Sequence, residues 1–236
     1  MKTILLKFSG PMQAWGTSSH FDIRHTDMYP AKSAVLGLVA AALGWRRDDD
    51  RIGALNKFSF AVRVDQPGSI LEDYHTARRL DIKNCIYVTQ RYYLQDAVFV
   101  VALGIDDSIE ADKIVQALQK PYFQPYMGRR ALPLPLDFVL AVVEEDPLTA
   151  LRTYPWQAAK WYQRRVAKHS EDRKRLSIFS DQAIAGSVSL MRRDQVVALA
   201  ATGRRYLPRL EYKSVCEIAI PKLETEHDAF TAFGGA

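Results

Sequence analysis

The chain has 236 residues, 48% hydrophobic and 25% charged, which excludes disorder as its main state and allows one or two domains with a real core. Net charge is +5, from 32 basic and 27 acidic side chains, an excess too mild to argue for a nucleic-acid partner by itself. The longest apolar run, about residues 34–43, is half the roughly 20 needed to cross a bilayer, and MKTILLKFSG lacks the apolar region and small-residue cleavage site of a secretory signal, so the expected location is the cytoplasm.

Lys2–Phe8 reads as a buried strand. Residues 10–29 read as a long loop, punctuated by Gly10, Pro11, Gly16, Ser18 and Ser19, and a loop of that length inside a domain is usually functional. Pro30 opens a helix that runs through Val35, Leu36 and Val39 and stops at Gly44. It is apolar nearly all round, which predicts burial. A short helix is expected over 49–56, and Phe58–Val64 alternates as a strand does.

A turn at Gln66-Pro67-Gly68 precedes a polar stretch. One long strand is expected over 87–104, starting in an exposed hairpin and continuing into the core. A helix follows over Ser108–Gln119, with Ser108 as its N-cap, and then a strand over Phe138–Val143. Strand, helix, strand, strand, helix, strand is the order of a ferredoxin-like or RRM-like α+β domain. Glu144-Glu145-Asp146-Pro147 marks its end, giving a first domain over 1–145. The remainder, 146–236, is expected to form a smaller β-rich subdomain. It holds a helical turn at 147–153, a basic helical stretch at 156–170 and two or three strands, the last over Arg209–Ile220.

Local charge says more than net charge. Residues 160–175 carry seven Lys/Arg against two acids, and Arg129–Arg130, Arg192–Arg193 and Arg204–Arg205 are adjacent pairs. Each cluster alone fits a solvated face; together they favour a polyanion partner. Cys85 and Cys216 are too few for a disulfide scaffold or a cysteine-rich zinc site. No histidine has a metal-ligand spacing, so neither metal nor cofactor is expected.

Lys32-Ser33 at a helix start lacks the glycines of a P-loop, at Thr26 and Ala31. A helix N-terminus with a lysine and a serine can still hold one phosphate, the alternative being a solvated Lys32. Trp15, Phe21, Tyr29, Tyr74, Tyr92 and Tyr93 fall in loops or hairpins near Arg24, Lys32, Arg78, Arg79 and Arg91. Aromatics beside cations suit single-stranded RNA, with core packing the alternative for each ring. His75, Tyr74 and Lys83 could supply a base, an acid and a cation to a metal-independent ribonuclease, although every RNA-binding surface contains such residues.

Six ordered segments resemble the CRISPR-associated Cas-five family: Gly10–Gly16, Tyr29–Leu38, Phe60–Asp65, Asp73–Ala77, Arg91–Ala97 and Met127–Pro133. The combination is similar to the branch found in the type I-E Cascade complex and covers residues 3–140 best. The resemblance implies an RRM-like domain with a β-hairpin thumb, about residues 68–95, and a small C-terminal β subdomain. It implies a non-catalytic subunit that grips the 5′ handle of crRNA and caps the backbone filament. Its expected partners are the CasC-type backbone subunits, the large subunit and, through the assembled complex, target DNA.

Carried onto this chain, the handle pocket would use Gln13, Trp15, Arg24, Lys32 and Ser33. Tyr74, His75, Arg91 and Tyr92 on the thumb would lie near RNA, with Arg129 and Arg130 contacting phosphate or a partner. A type I-C relative that cuts pre-crRNA without metal supplies the enzymatic alternative. A generic ferredoxin-like module is the third. The basic stretch 160–175 matches no family motif.

Overall fold

The computed structural model describes residues 1–16, 23–78, 86–169, 172–184, 186–199 and 203–221. The fold is α+β and dominated by a seven-stranded sheet. Its strands are β1 (Lys2–Ser9), β4 (Ser59–Gln66), β7 (Val98–Ile105), β8 (Val139–Val143), β9 (Arg173–Ser180), β10 (Val188–Ala198) and β11 (Arg205–Ala219). They lie in the order β10-β11-β9-β4-β7-β1-β8, each neighbour pair antiparallel.

The central strands are apolar on both faces because both faces are covered. Successive side chains of a strand point to opposite sides. Accordingly Ile4, Leu6, Phe8, Phe60, Val62, Phe99, Val101 and Leu103 join one core, and Leu5, Ala61, Val100 and Ala102 join the other. On the first face lie α1 (Lys32–Ala42) and α2 (Ser108–Gln119), with a 3-10 segment over Asp50–Lys57. On the second lie α3 (Pro147–Thr153) and α4 (Lys160–Ala167).

The expected strand over 87–104 is two strands. β6 (Ile86–Gln95) ends before Asp96, whose positive φ of 56° turns the chain into β7. The N-cap of α2 is Asp107, one residue before the expected Ser108; its carboxylate accepts from the amides of Ile109 and Glu110. The carboxylate wins because it interacts more strongly with the amide-rich helix start than a hydroxyl does.

Past residue 145, where two or three strands are expected, there are three among the described residues, and β9 pairs with β4, so the sheet runs on without a break. The junction is held by a buried polar hub. Arg63 bonds Asp65 through two nitrogens, at 2.6 and 2.9 Å, and donates to the carbonyls of Leu151, Tyr154 and Pro155. Asp65 also accepts from the Gln157 amide. Cys216 is buried and unpaired, and Cys85 lies outside the described residues.

Candidate nucleic-acid interface

A second, smaller sheet carries most of the candidate residues. β6 pairs along its length with β5 (Ser69–Arg78), forming the expected hairpin. On its other edge it takes β2 (Met12–Gln13) antiparallel and β3 (Ile23–Arg24) parallel. The hairpin projects from the fold. Tyr74 is 66% exposed, His75 is exposed, and Ile70, Ile86 and Tyr87 are solvent-facing. The expected tip residues Arg79 and Lys83, like Phe21 in the long loop, lie outside the described residues.

Register sorts the candidates onto two faces, since residues directly opposite across a pair share a face. Arg24 is opposite Arg91, and Arg91 is opposite Asp73. Tyr93 and His75 have the same parity, so they share that face with Arg24 and Arg91. Arg129 joins it from another loop: its guanidinium sits 4.2 Å from the centre of the Tyr93 ring and its Nη2 donates to the Arg24 carbonyl at 3.5 Å. Arg130 beside it is exposed. The opposite face holds Tyr74 and Tyr92, with the His25 ring stacked on Tyr92 at 5.3 Å. Partial burial, and then the Glu72 carboxylate across the hairpin, push the Tyr92 hydroxyl above its usual range.

The loop that presents Arg129 is clasped onto the first long loop. Ala14 donates to the Met127 carbonyl, and Met127 to that of Leu132. Gly128 has φ 85°, and a Cβ there would stand 1.6 Å from the Ala14 oxygen. Only glycine fits, because it tolerates that φ and has no side chain to clash. Two of the sequence segments singled out above, 10–16 and 127–133, are thus one structural unit.

Three expected RNA contacts are turned inward instead. Gln13 is fully buried and donates to the Ala97 carbonyl at 2.8 Å. Its oxygen accepts from the Trp15 indole at 2.9 Å. Trp15 is 2% exposed and packs edge-on against Phe8. Lys32 is buried, bonded to Asp181 at 2.7 Å and to the Asn56 carbonyl. The anion at the α1 N-terminus is internal: Asp194 accepts from the Lys32 amide at 2.9 Å. A phosphate at that helix end would meet a carboxylate already in place. Ser33 beside it is half-buried.

Asp194 belongs to an ionic network that the sequence disguised. Arg209 bonds Asp194 and Glu211, and Arg192 faces Asp27, Asp194 and Glu211. Burial opposes the Arg192 charge, but Glu211 and the other acids raise its pKa above the ordinary value. Tyr29 stacks on Phe179 at 3.9 Å and donates to Glu211 at 2.7 Å. Arg192 of the Arg192–Arg193 pair, expected to meet a polyanion, therefore meets the chain's own carboxylates. His25 was the partner that the sequence did not reveal; its place on Tyr92 depends on β3 pairing with a strand more than 60 positions away.

For catalysis, Tyr74 and His75 are consecutive on β5 and so project to opposite faces. Their side chains therefore do not converge on one point of the hairpin. Among the described residues no three His, Cys, Asp or Glu side chains are placed to hold a metal ion, and no helix is long and apolar enough to cross a membrane.

A sequence model of the CRISPR-associated Cas5 proteins matches residues 3–201. The chain is 36% identical over 171 residues to the CRISPR system Cascade subunit CasD of Escherichia coli strain K12, covering 64% of this chain and 76% of that one. It is similar to a chain of a solved CRISPR RNA-guided surveillance complex, with TM-score 0.75, 31% identity, and coverage of 92% of this chain and 91% of the other. A further crystal structure, titled as a Cas protein, matches with TM-score 0.62 and 29% identity over 93% and 95% of the two chains.

Proposed function

The chain belongs to the CRISPR-associated Cas5 family, and from that premise we propose that it is the non-catalytic subunit of a type I-E Cascade that grips the 5′ handle of crRNA. It acts in the cytoplasm and caps the filament of CasC-type backbone subunits. The large subunit docks beside it, and the assembled complex engages target DNA. The guide RNA supplies sequence recognition while the protein holds backbone and shape.

The observation that carries this reading is the hairpin face where Arg24, Arg91 and Arg129 stand around Tyr93. Guanidinium groups hold phosphates and rings accept unstacked bases. Gln13, Trp15 and Lys32 then serve the site from below, fixing the loop and helix that frame it. The opposite projections of Tyr74 and His75 favour binding over cleavage. The strand order β4-β7-β1-β8, with α1 and α2 on one face, supports an RRM-like or ferredoxin-like unit over 1–145, to which 146–236 adds a β-rich extension.

The test is a salt titration of the full chain against labelled repeat RNA from its own locus. Arg91→Ala with Arg129→Ala should weaken binding and reduce the log–log salt slope by about 1.4, two contacts at about 0.7 each. An unchanged slope refutes the assignment. The same RNA, incubated with the chain in EDTA and run on a denaturing gel, should stay intact; cleavage at one site would establish the processing ribonuclease instead.

A further inference from the structure

The basic stretch around α4 forms a surface of its own. α4 turns Tyr162 and Val166 into the second core and presents Lys160, Trp161, Arg164 and Arg165 outward, with Lys168 as its C-cap. Trp161 is 49% exposed, and the Arg165 guanidinium lies 5.2 Å from its ring centre. This face lies across the main sheet from α1 and α2, whereas the base of the hairpin, at Leu94, packs into the first core.

Helix stability does not account for the arrangement. Lys160, Arg164 and Lys168 are spaced i, i+4, where like charges repel. Lys160 sits in the first turn, at the positive end of the helix dipole, and Ala159 provides no side-chain cap there. The dipole favours only the cations of the last turn. Among the described residues none of these four cations has a carboxylate within ion-pair distance. That sets them apart from Arg192 and Arg209, each paired with two or three acids. Arg173 and Arg175, on β9, have Glu217 at 3.7 and 3.8 Å.

We propose that the outer face of α4 is a second polynucleotide site, taking the phosphodiester backbone of a single strand along Lys160, Arg164 and Lys168 with one unstacked base against Trp161. An exposed indole among unpaired cations fits a single strand better than a duplex, whose bases are already stacked. RNA and DNA share this chemistry. The proposal is independent of the hairpin and does not require the handle to bind there.

The full chain is titrated with labelled 20-nucleotide oligo-U and oligo-dT, and with a 20-base-pair duplex, over a range of salt. Arg164→Ala with Lys168→Ala should reduce the single-strand slope by about 1.4. Trp161→Ala should weaken single-strand binding about tenfold, while Trp161→Phe retains most of it. Quenching of intrinsic fluorescence on binding should fall in Trp161→Phe, which removes the exposed indole. Whichever oligonucleotide binds more tightly names the source. Unchanged slope, affinity and quenching in all α4 variants overturn the proposal. So does duplex binding as tight as single-strand binding and indifferent to Trp161→Ala. Loss of complex assembly alone, with nucleic-acid binding intact, also overturns it and makes the face a protein contact. The paired Arg91→Ala and Arg129→Ala variant, run alongside, separates failure here from failure of the hairpin reading.

Discussion

The network around Asp194 and the hairpin around Tyr93 use the same side chain to opposite ends. Arg192 and Arg209 are tied to carboxylates, one of which is Glu211 in both cases. Arg129 is tied to a ring and a carbonyl, and its Nη1 is shielded from solvent with no hydrogen-bond partner among the described residues. In the first region the charges are neutralised by the fold. In the second, Arg129 is positioned by a ring and a backbone carbonyl. An adjacent arginine pair in a sequence is therefore not evidence for a polyanion until its carboxylates have been located. Arg192–Arg193 and Arg129–Arg130 look alike as text and differ as chemistry.

The contrast is broken most forcefully at Asp194. It is fully buried and serves Arg209, Arg192 and the Lys32 amide. Asp194→Ala strips one carboxylate from two buried arginines, leaving them Glu211 and Asp27, and takes the acceptor from the Lys32 amide; it should cost about 3–5 kcal/mol, read as a drop in the urea midpoint. The salt slope for RNA of the protein that remains folded should not change; a reduced slope would make the network part of the binding site.

Trp15→Ala comes next. Removing a packed indole costs about 3–5 kcal/mol in general, and at this position Phe8 and Gln13 lose their partner. Stability measured by denaturant should fall while RNA affinity per folded molecule holds. Full stability with lost affinity would return Trp15 to the RNA surface.

The smallest effect sharpens the comparison through pH. Partial burial, and then Glu211, raise the Tyr29 hydroxyl above its ordinary pKa near 10. The folded state keeps that proton after the unfolded chain has lost it. The stability Tyr29 contributes is thus complete below about pH 10 and declines as pH rises through the folded value. Unfolding midpoints between about pH 9 and 11 should fall more steeply for wild type than for Tyr29→Phe. Equal slopes would mean that the hydroxyl is not held by Glu211.

Legibility followed range. α1, β4 and α2 could be read from periodicity, because each is specified by neighbours a few positions away, whereas the hairpin's bounds rest on the family resemblance. The break at Asp96 could not, since Val98–Ile105 continues the strand composition without interruption. The inward turn of Gln13 and Lys32 has one cause. Lys32 lies 149 positions from Asp181, and Gln13 lies 84 from Ala97. Nothing local distinguishes a lysine waiting for phosphate from one already bonded to an aspartate. Arg24, Arg91 and Arg129 were legible as cations, but their gathering around Tyr93 depends on the parallel β3–β6 pairing and on the clasp at Gly128.

The bond from the Lys32 amide to Asp194 spans 162 positions, and its consequence lies in how the chain is made. At about 5–20 residues per second of synthesis, the first helix emerges roughly 8–30 seconds before the residue that closes its N-terminus. Asn56 waits as long for Val196, with which it exchanges two hydrogen bonds. The N-terminal half therefore leaves the ribosome with an open helix end and an unmatched lysine, which Asp194 and Asp181 respectively complete. A polypeptide released before residue 181 would carry most of the apolar sheet without Asp181, Asp194 or Val196 to lock it, which makes truncated products the form of this protein most exposed to aggregation and proteolysis.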